Sequence, residues 1–380
     1  MCGRPAVSFR ALSGGCCALV GLLAGTAAAD VFNMGGIRNP DGTWVGLASL
    51  ETVLVQNPGN PADLRVMNDG TGGRGSVSYA YFIGRYEVTA AQYCLFLNAV
   101  AASDPYGLYN PYMDYEAHPD RYGCNIRRSG SPGSYTYSVA PDWANRPVNH
   151  VSWGDAARFV NWLHNGQPIG AQGPGTTETG AYTLNGAMTV PELRAVTRNP
   201  GWRWALPTED EWYKAAYHKN DGLTAHYWEY PTGADAVPSN ALGIPTDPGN
   251  NATYSAGYGS GFSTIGAPYW RTEVGAHENS ASPYGTFDQG GNVWEWNETM
   301  IDKDGHARGG MRGGSSDFLF IYMHASCRFY AYTPTYESSG VGFRVCAIPE
   351  PVPILMLALT GLAGLRRKRT CRRPRSVPSG

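Results

Sequence analysis

The chain has 380 residues, with 29 Lys+Arg against 31 Asp+Glu. Nine of those basic residues lie in the first ten or last fifteen positions, leaving a body of roughly ten net negative charges, which excludes the basic surface that nucleic acid requires. Aromatics at 12% exclude a disordered chain, and 49 Gly with 27 Pro and no heptad pattern exclude a coiled coil or a long helical bundle.

Residues 1–29 read as a secretory signal. Arg4 and Arg10 precede an apolar run from Ala18 to Ala24, and Ala27-Ala28-Ala29 offers a small-residue cleavage site before Asp30. After a lead-in over 30–49, the body begins near residue 50.

Three capping boxes then announce helices: Thr89 with Gln92, Ser152 with Asp155, and Thr208 with Glu211. In each, the hydroxyl can accept from an orphan backbone N–H while the third side chain reaches back. Short strands are expected at Tyr79–Ile83, Trp202–Leu206, Val293–Trp296, Gly309–Arg312 and Val341–Val345. Between them run long polar connections over 102–146, 166–200 and 218–283. Few helices, short scattered strands and long loops indicate an irregular α+β domain.

Four cysteines fall in the body, Cys94, Cys124, Cys327 and Cys346. Behind a secretory signal they allow two disulfides in three pairings. No Cys-x-x-Cys spacing points to zinc. The eight histidines show no metal-ligand spacing and read as structural or solvent-exposed.

The C-terminus carries Pro349-Glu350-Pro351, an apolar stretch from Val352 to Leu365, and Arg366-Arg367-Lys368-Arg369. Fourteen apolar residues are short for a spanning helix, and the basic cluster would stay on the cytoplasmic side. The three parts in this order, over 348–369, resemble a PEP-CTERM sorting tail of Gram-negative bacteria. That resemblance implies an inner-membrane-anchored precursor, an exosortase and the secretion machinery as partners, and a final place at the cell surface or in the extracellular matrix beside exopolysaccharide. The basic extension over 370–380 departs from the pattern. A plain tail anchor is the other reading.

Several blocks of the body occur in one order. They are Phe82 to Thr89, Arg146 to Trp153, Trp204 to Trp212, Gly291-Asn292-Val293-Trp294-Glu295-Trp296, Arg312-Gly313-Gly314-Ser315 and Gly342-Phe343-Arg344. The series resembles the sulfatase-modifying-factor, or formylglycine-generating-enzyme, family over about residues 50–347. The resemblance implies a single irregular α+β domain related to C-type lectins. It also implies an oxidase that converts a protein cysteine to formylglycine with two copper(I)-binding cysteines. Counted from Ser315, those positions fall at Phe318 and Met323, and neither is a thiolate. Copper is therefore not expected, since copper(I) seeks soft thiolates. Cys327 reads as a structural cysteine, unless a shifted alignment makes it catalytic with Cys346.

The resemblance further implies a calcium loop, with carboxylates from Asp288 and Glu295 and main-chain carbonyls from Gly291 and Val293. A second calcium site would use Asn251 and the carbonyl of Ala252, but its carboxylate position falls near Ser260. Groove candidates are Trp294, Trp296, Ser315, Arg328 and Arg344, because aromatic faces and guanidinium forks suit sugars and acidic groups. The expectation is an exported, calcium-stabilised binding module for polysaccharide or peptide. The alternatives are an active oxidase or metal-dependent oxygenase of the family, and a structural matrix protein.

Overall fold

The structure is a computed structural model describing residues 50–242, 247–257, 263–303 and 305–349, with three short strands ahead of residue 50. The signal over 1–29, the apolar tail over 352–365, the extension over 370–380 and Ser260 lie outside the described residues. Among the described residues no helix is long and apolar enough to cross a membrane.

The strands are β1 (Asp30–Phe32), β2 (Ile37–Arg38), β3 (Trp44–Val45), β4 (Leu50–Val55), β5 (Tyr81–Gly84), β6 (Ile126–Ser129), β7 (Thr136–Val139), β8 (Trp204–Ala205), β9 (Trp294–Lys303), β10 (His306–Arg312), β11 (Val341–Phe343) and β12 (Cys346–Ala347). The helices are α1 (Ala90–Val100), α2 (Pro141–Ala144), α3 (Trp153–His164), α4 (Val190–Arg194) and α5 (Glu209–Tyr217). This is the irregular α+β architecture expected, with short strands joined by long connections.

One sheet has the order β1-β4-β5-β12-β8, and a second has the order β10-β9-β11. β12 pairs antiparallel on both sides, Cys346 facing Ile83 of β5 and Ala205 of β8. β11 runs parallel to β9, setting Gly342 opposite Glu295. β9 and β10 pair antiparallel with a register shift between Gly309 and Met311. A Cβ on Gly309 would lie 2.4 Å from the Trp296 ring, so the indole takes the space that any larger residue would need.

Thr89, Ser152 and Thr208 cap α1, α3 and α5 with both halves of each box formed. The boxes fix where each helix starts and therefore which residues face inward. Tyr93 and Phe96 of α1 meet Phe159 of α3 at centroid distances of 6.1 and 5.3 Å, and Phe159 meets Phe343 of β11 at 5.3 Å. Helices and second sheet thus share one aromatic core. The connection over 102–146 holds the β6–β7 hairpin and α2, and that over 166–200 holds α4, which Thr189 and Glu192 open with a fourth capping box that the sequence reading missed.

Candidate functional site

The segment from β10 to β11 carries the residues of most interest. It begins with Gly313 and Gly314, both at positive φ (101° and 78°). A Cβ on Gly313 would meet the carbonyl of Gln289 at 2.9 Å, so this turn needs glycine. Ser315 follows, buried, its hydroxyl donating to the exposed Asp317.

Phe318 and Met323 part company here. Met323 is 1% exposed and packs with Tyr230, Ala252 and Tyr254. Phe318 is half-buried and opens a strip of rings with Tyr322, Phe329, Tyr332 and Tyr336, each also half-buried. Trp294, 1% exposed, forms the floor: its ring lies 5.4 Å from Phe318 and stacks on Phe329 at 4.4 Å. Tyr332 and Tyr336 stack at 3.7 Å with an interplanar angle of 11°. Burial, with Tyr336 as hydrogen-bond partner, pushes the Tyr332 phenol up to about 12. The Tyr332 ring is therefore neutral at ordinary pH.

One edge of the strip is acidic. Glu337 follows Tyr336, and its carboxyl meets that of Asp155 at the start of α3. Burial first, then the neighbouring Asp155 charge, pushes Glu337 up to about 9. Asn110 donates its amide to Glu337. Backbone bonds from Trp153 to Pro334 (3.0 Å) and from His150 to Ser338 (2.9 Å) tie the same loop to the entry of α3. The acid pair thus helps position the loop that presents Tyr332 and Tyr336.

The five groove candidates need correction, since none lines an open surface. Trp294 is the floor of the strip, and Trp296 is fully buried with its indole N–H donating to the carbonyl of Val151 at 2.9 Å. Ser315 is sealed in the turn. Arg328 is buried, donating to both oxygens of Glu209 (2.7–3.0 Å) and to Asp69 (2.8 Å). Arg344 is fully buried between Glu295 and the carbonyls of Gly84 and Phe287. Pairing explains why such forks lie inside: a buried guanidinium survives when its donors are satisfied. The half-exposed rings at 322, 329, 332 and 336 were the residues missed. Their spacings of seven, three and four match one face of a helix, yet the stretch forms only a short 3-10 turn (Phe320–Met323) and loop, so the loop conformation and not a helix aligns them.

The loop expected to hold calcium lies beside this core. Asp288 sits at φ 58°, and one of its oxygens accepts from the N–H of Gly275 at 2.6 Å. Burial pushes its carboxyl up to about 6. Glu295 is sealed, accepting from Trp212 at 2.7 Å and from Arg344 at 2.5 and 2.6 Å. Three of its roughly four acceptor sites are therefore filled. The donor set fits calcium only if Glu295 is shared with Arg344.

Asn251 and Asp288 line one cavity of about 10 Å³, with His277 and Ser280. The Asn251 Oδ1 is buried without a hydrogen-bond partner, and the Ala252 carbonyl accepts from Thr264 at 3.4 Å. Among the described residues, Asp247 is the carboxylate that accepts from the Asn251 amide. A space of this size holds one water or one ion. Among the described residues no three His, Cys, Asp or Glu side chains converge as a metal site.

The expected disulfides are not formed: Cys94, Cys124, Cys327 and Cys346 are free, buried thiols. Burial raises all four, Cys327 to about 11 and Cys94 to about 12. Cys327 lies near Arg312, whereas Cys346 sits in the sheet against Glu211. A thiol held protonated is a poor nucleophile and a poor copper ligand.

The sequence matches the family described as "Sulfatase-modifying factor enzyme 1-like domain" over residues 65–348. No curated protein matches the chain. Among solved structures, Treponema denticola variable protein 1 is similar at 19% identity and a TM-score of 0.50, covering 85% of this chain and 100% of its own. CarF is similar at 20% identity and a TM-score of 0.43, covering 79% and 99%. PvdO from Pseudomonas aeruginosa is similar at 15% identity and a TM-score of 0.46, covering 84% and 98%. At these identities the likeness to Treponema denticola variable protein 1 bears on the fold alone.

Proposed function

The chain belongs to the sulfatase-modifying factor enzyme 1-like domain family, and on that premise we propose that it is a binding module for a neutral polysaccharide. One observation carries the reading. The first family thiolate position is Phe318, a half-exposed ring in a five-ring strip, while the second is the sealed Met323. Ring faces held open at low conformational cost suit the apolar faces of sugars. Arg328 and Arg344 are consumed inside the protein, so they recruit no acidic group. The acidic body also repels a polyanion, which leaves an uncharged chain as the better ligand.

Calcium is the second element of the proposal. Asp288 and Glu295, with the carbonyls of Gly291 and Val293, would hold it, and bound calcium would supply charge that locks the loop. Export is the third. The signal over 1–29 and the tail over 348–369 support a membrane-held precursor that is sorted to the cell surface.

Binding is tested with the full chain on an array of neutral and acidic glycans, followed by titration calorimetry. Saturable binding of a neutral glycan that weakens in Tyr332→Ala is expected. Copper-dependent oxidation of a sulfatase-motif peptide, lost in Cys327→Ser, would overturn the proposal and favour the oxidase.

A further inference from the structure

A second cavity, of about 180 Å³, opens beside the start of α1. Leu50, Glu87, Thr89 and Gln92 form its buried floor, with Glu51, Tyr86, Asn145, Glu273 and Val274 around them. It is smaller than a drug-sized ligand pocket, so it holds roughly one side chain.

Its three acids are not equally partnered. Glu51 has Arg85 at 3.2 Å, and Glu273 has Arg146 beside it. Glu87 has no such partner. One oxygen accepts from the amide of Asn292 at 3.1 Å. The other, Oε1, is buried with no hydrogen-bond partner, in a residue only 1% exposed. Burial first, then the nearby charges of Asp288 and Glu295, push the Glu87 carboxyl well above the usual range, and Arg344, which opposes them through space, is already held by both oxygens of Glu295. The N-terminus of α1 lends a fraction of a positive charge, but Thr89 and Gln92 have satisfied each other's backbone groups there. A buried carboxyl oxygen left without a partner is costly, and a cationic donor from outside would both satisfy it and favour its charged form.

We propose that this slot binds a guanidinium or primary ammonium group on an aliphatic stem. The head would donate to Glu87 Oε1 and lie between Glu51 and Glu273. The stem would run along Leu50, Tyr86 and Val274, as lysine and arginine stems do on apolar surface. Such a group reaches the slot either on a free amine or as a basic side chain of a peptide. A bare metal ion fits less well, because no three ligating side chains converge among the described residues. The inference is independent of the sugar-binding reading, which uses other residues.

The test is titration calorimetry on the full chain with N-acetylarginine amide, agmatine, N-acetylnorleucine amide and CaCl₂. The two guanidinium compounds are expected to bind saturably and the norleucine compound not to bind. Comparable affinity for agmatine assigns a free amine, and preference for the amide assigns a peptide. Glu87→Gln should weaken binding at least tenfold with unchanged circular dichroism. If that variant unfolds, Glu273→Gln at the rim should weaken binding several-fold. Equal binding of the norleucine compound, no saturable binding of either guanidinium, or calcium binding that disappears in Glu87→Gln would each overturn the proposal.

Discussion

Arg344 and Glu295 meet through two parallel bonds, Nε to Oε2 at 2.5 Å and Nη2 to Oε1 at 2.6 Å, with both side chains sealed from solvent. Glu295 lies on β9, and Arg344 lies just past β11, its parallel neighbour. The remaining Arg344 donors reach the carbonyls of Gly84 and Phe287. One guanidinium therefore ties together both sheets and the loop ahead of β9.

Removing Arg344 alone strands a carboxylate in the core. Arg344→Met should cost about 3–5 kcal/mol, read as a lower midpoint in urea unfolding. Adding Glu295→Leu should recover much of that loss, because the cost lies in the unpaired charge rather than in the missing bonds.

The Glu337–Asp155 pair makes stability depend on pH. The folded-state pKa of Glu337 lies near 9, above its ordinary value of 4.5, so the native state keeps a proton that the unfolded chain releases. This contribution is fully present below about pH 4.5 and is lost as pH rises toward about 9. Melting temperature should fall across that window in the native protein. In Glu337→Gln the fall should be shallower; identical slopes would remove the pair from the account.

The ring strip predicts a separation of affinity from stability. Tyr332→Ala and Tyr336→Ala should each weaken glycan binding roughly tenfold, while melting temperature changes little, because both rings are half-open to solvent. Trp294→Ala should do the opposite and unfold the protein, since it removes the buried floor of the strip.

Chelation tests the calcium loop. Full occupancy at a hundred times the dissociation constant contributes about 2.7 kcal/mol. Excess EDTA should therefore lower the melting temperature by several degrees, and Asp288→Ala should abolish that response. A melting temperature unmoved by chelator would remove calcium from the site.

The three capping boxes taken from the sequence read truly, while a fourth, Thr189 with Glu192 at α4, was passed over. Thr89, Ser152 and Thr208 each begin a helix where their boxes placed it, because capping involves only four consecutive residues. Exposure was not legible. Trp294 and Trp296 share a face of β9, and Glu295 on the opposite face is equally buried, so alternation carries no inside or outside label here. What seals Glu295 is an arginine 49 positions later. β12 was missed because two residues, Cys346 and Ala347, have no period to detect. The identity of Phe318 and Met323 was plain from counting, but their opposite exposures depend on how the loop after Gly314 folds.

The position of β12 has a consequence for how the protein is made. Among the described residues the last strand in the chain stands inside the five-stranded sheet, between β5 and β8. β8 pairs with no other strand of that sheet. Until residues 346–347 arrive, a growing chain has two open edges in this sheet and a gap between them. Closure of this sheet therefore waits for its C-terminal strand, and the edges of β5 and β8 stay open to aggregation or to chaperones until then.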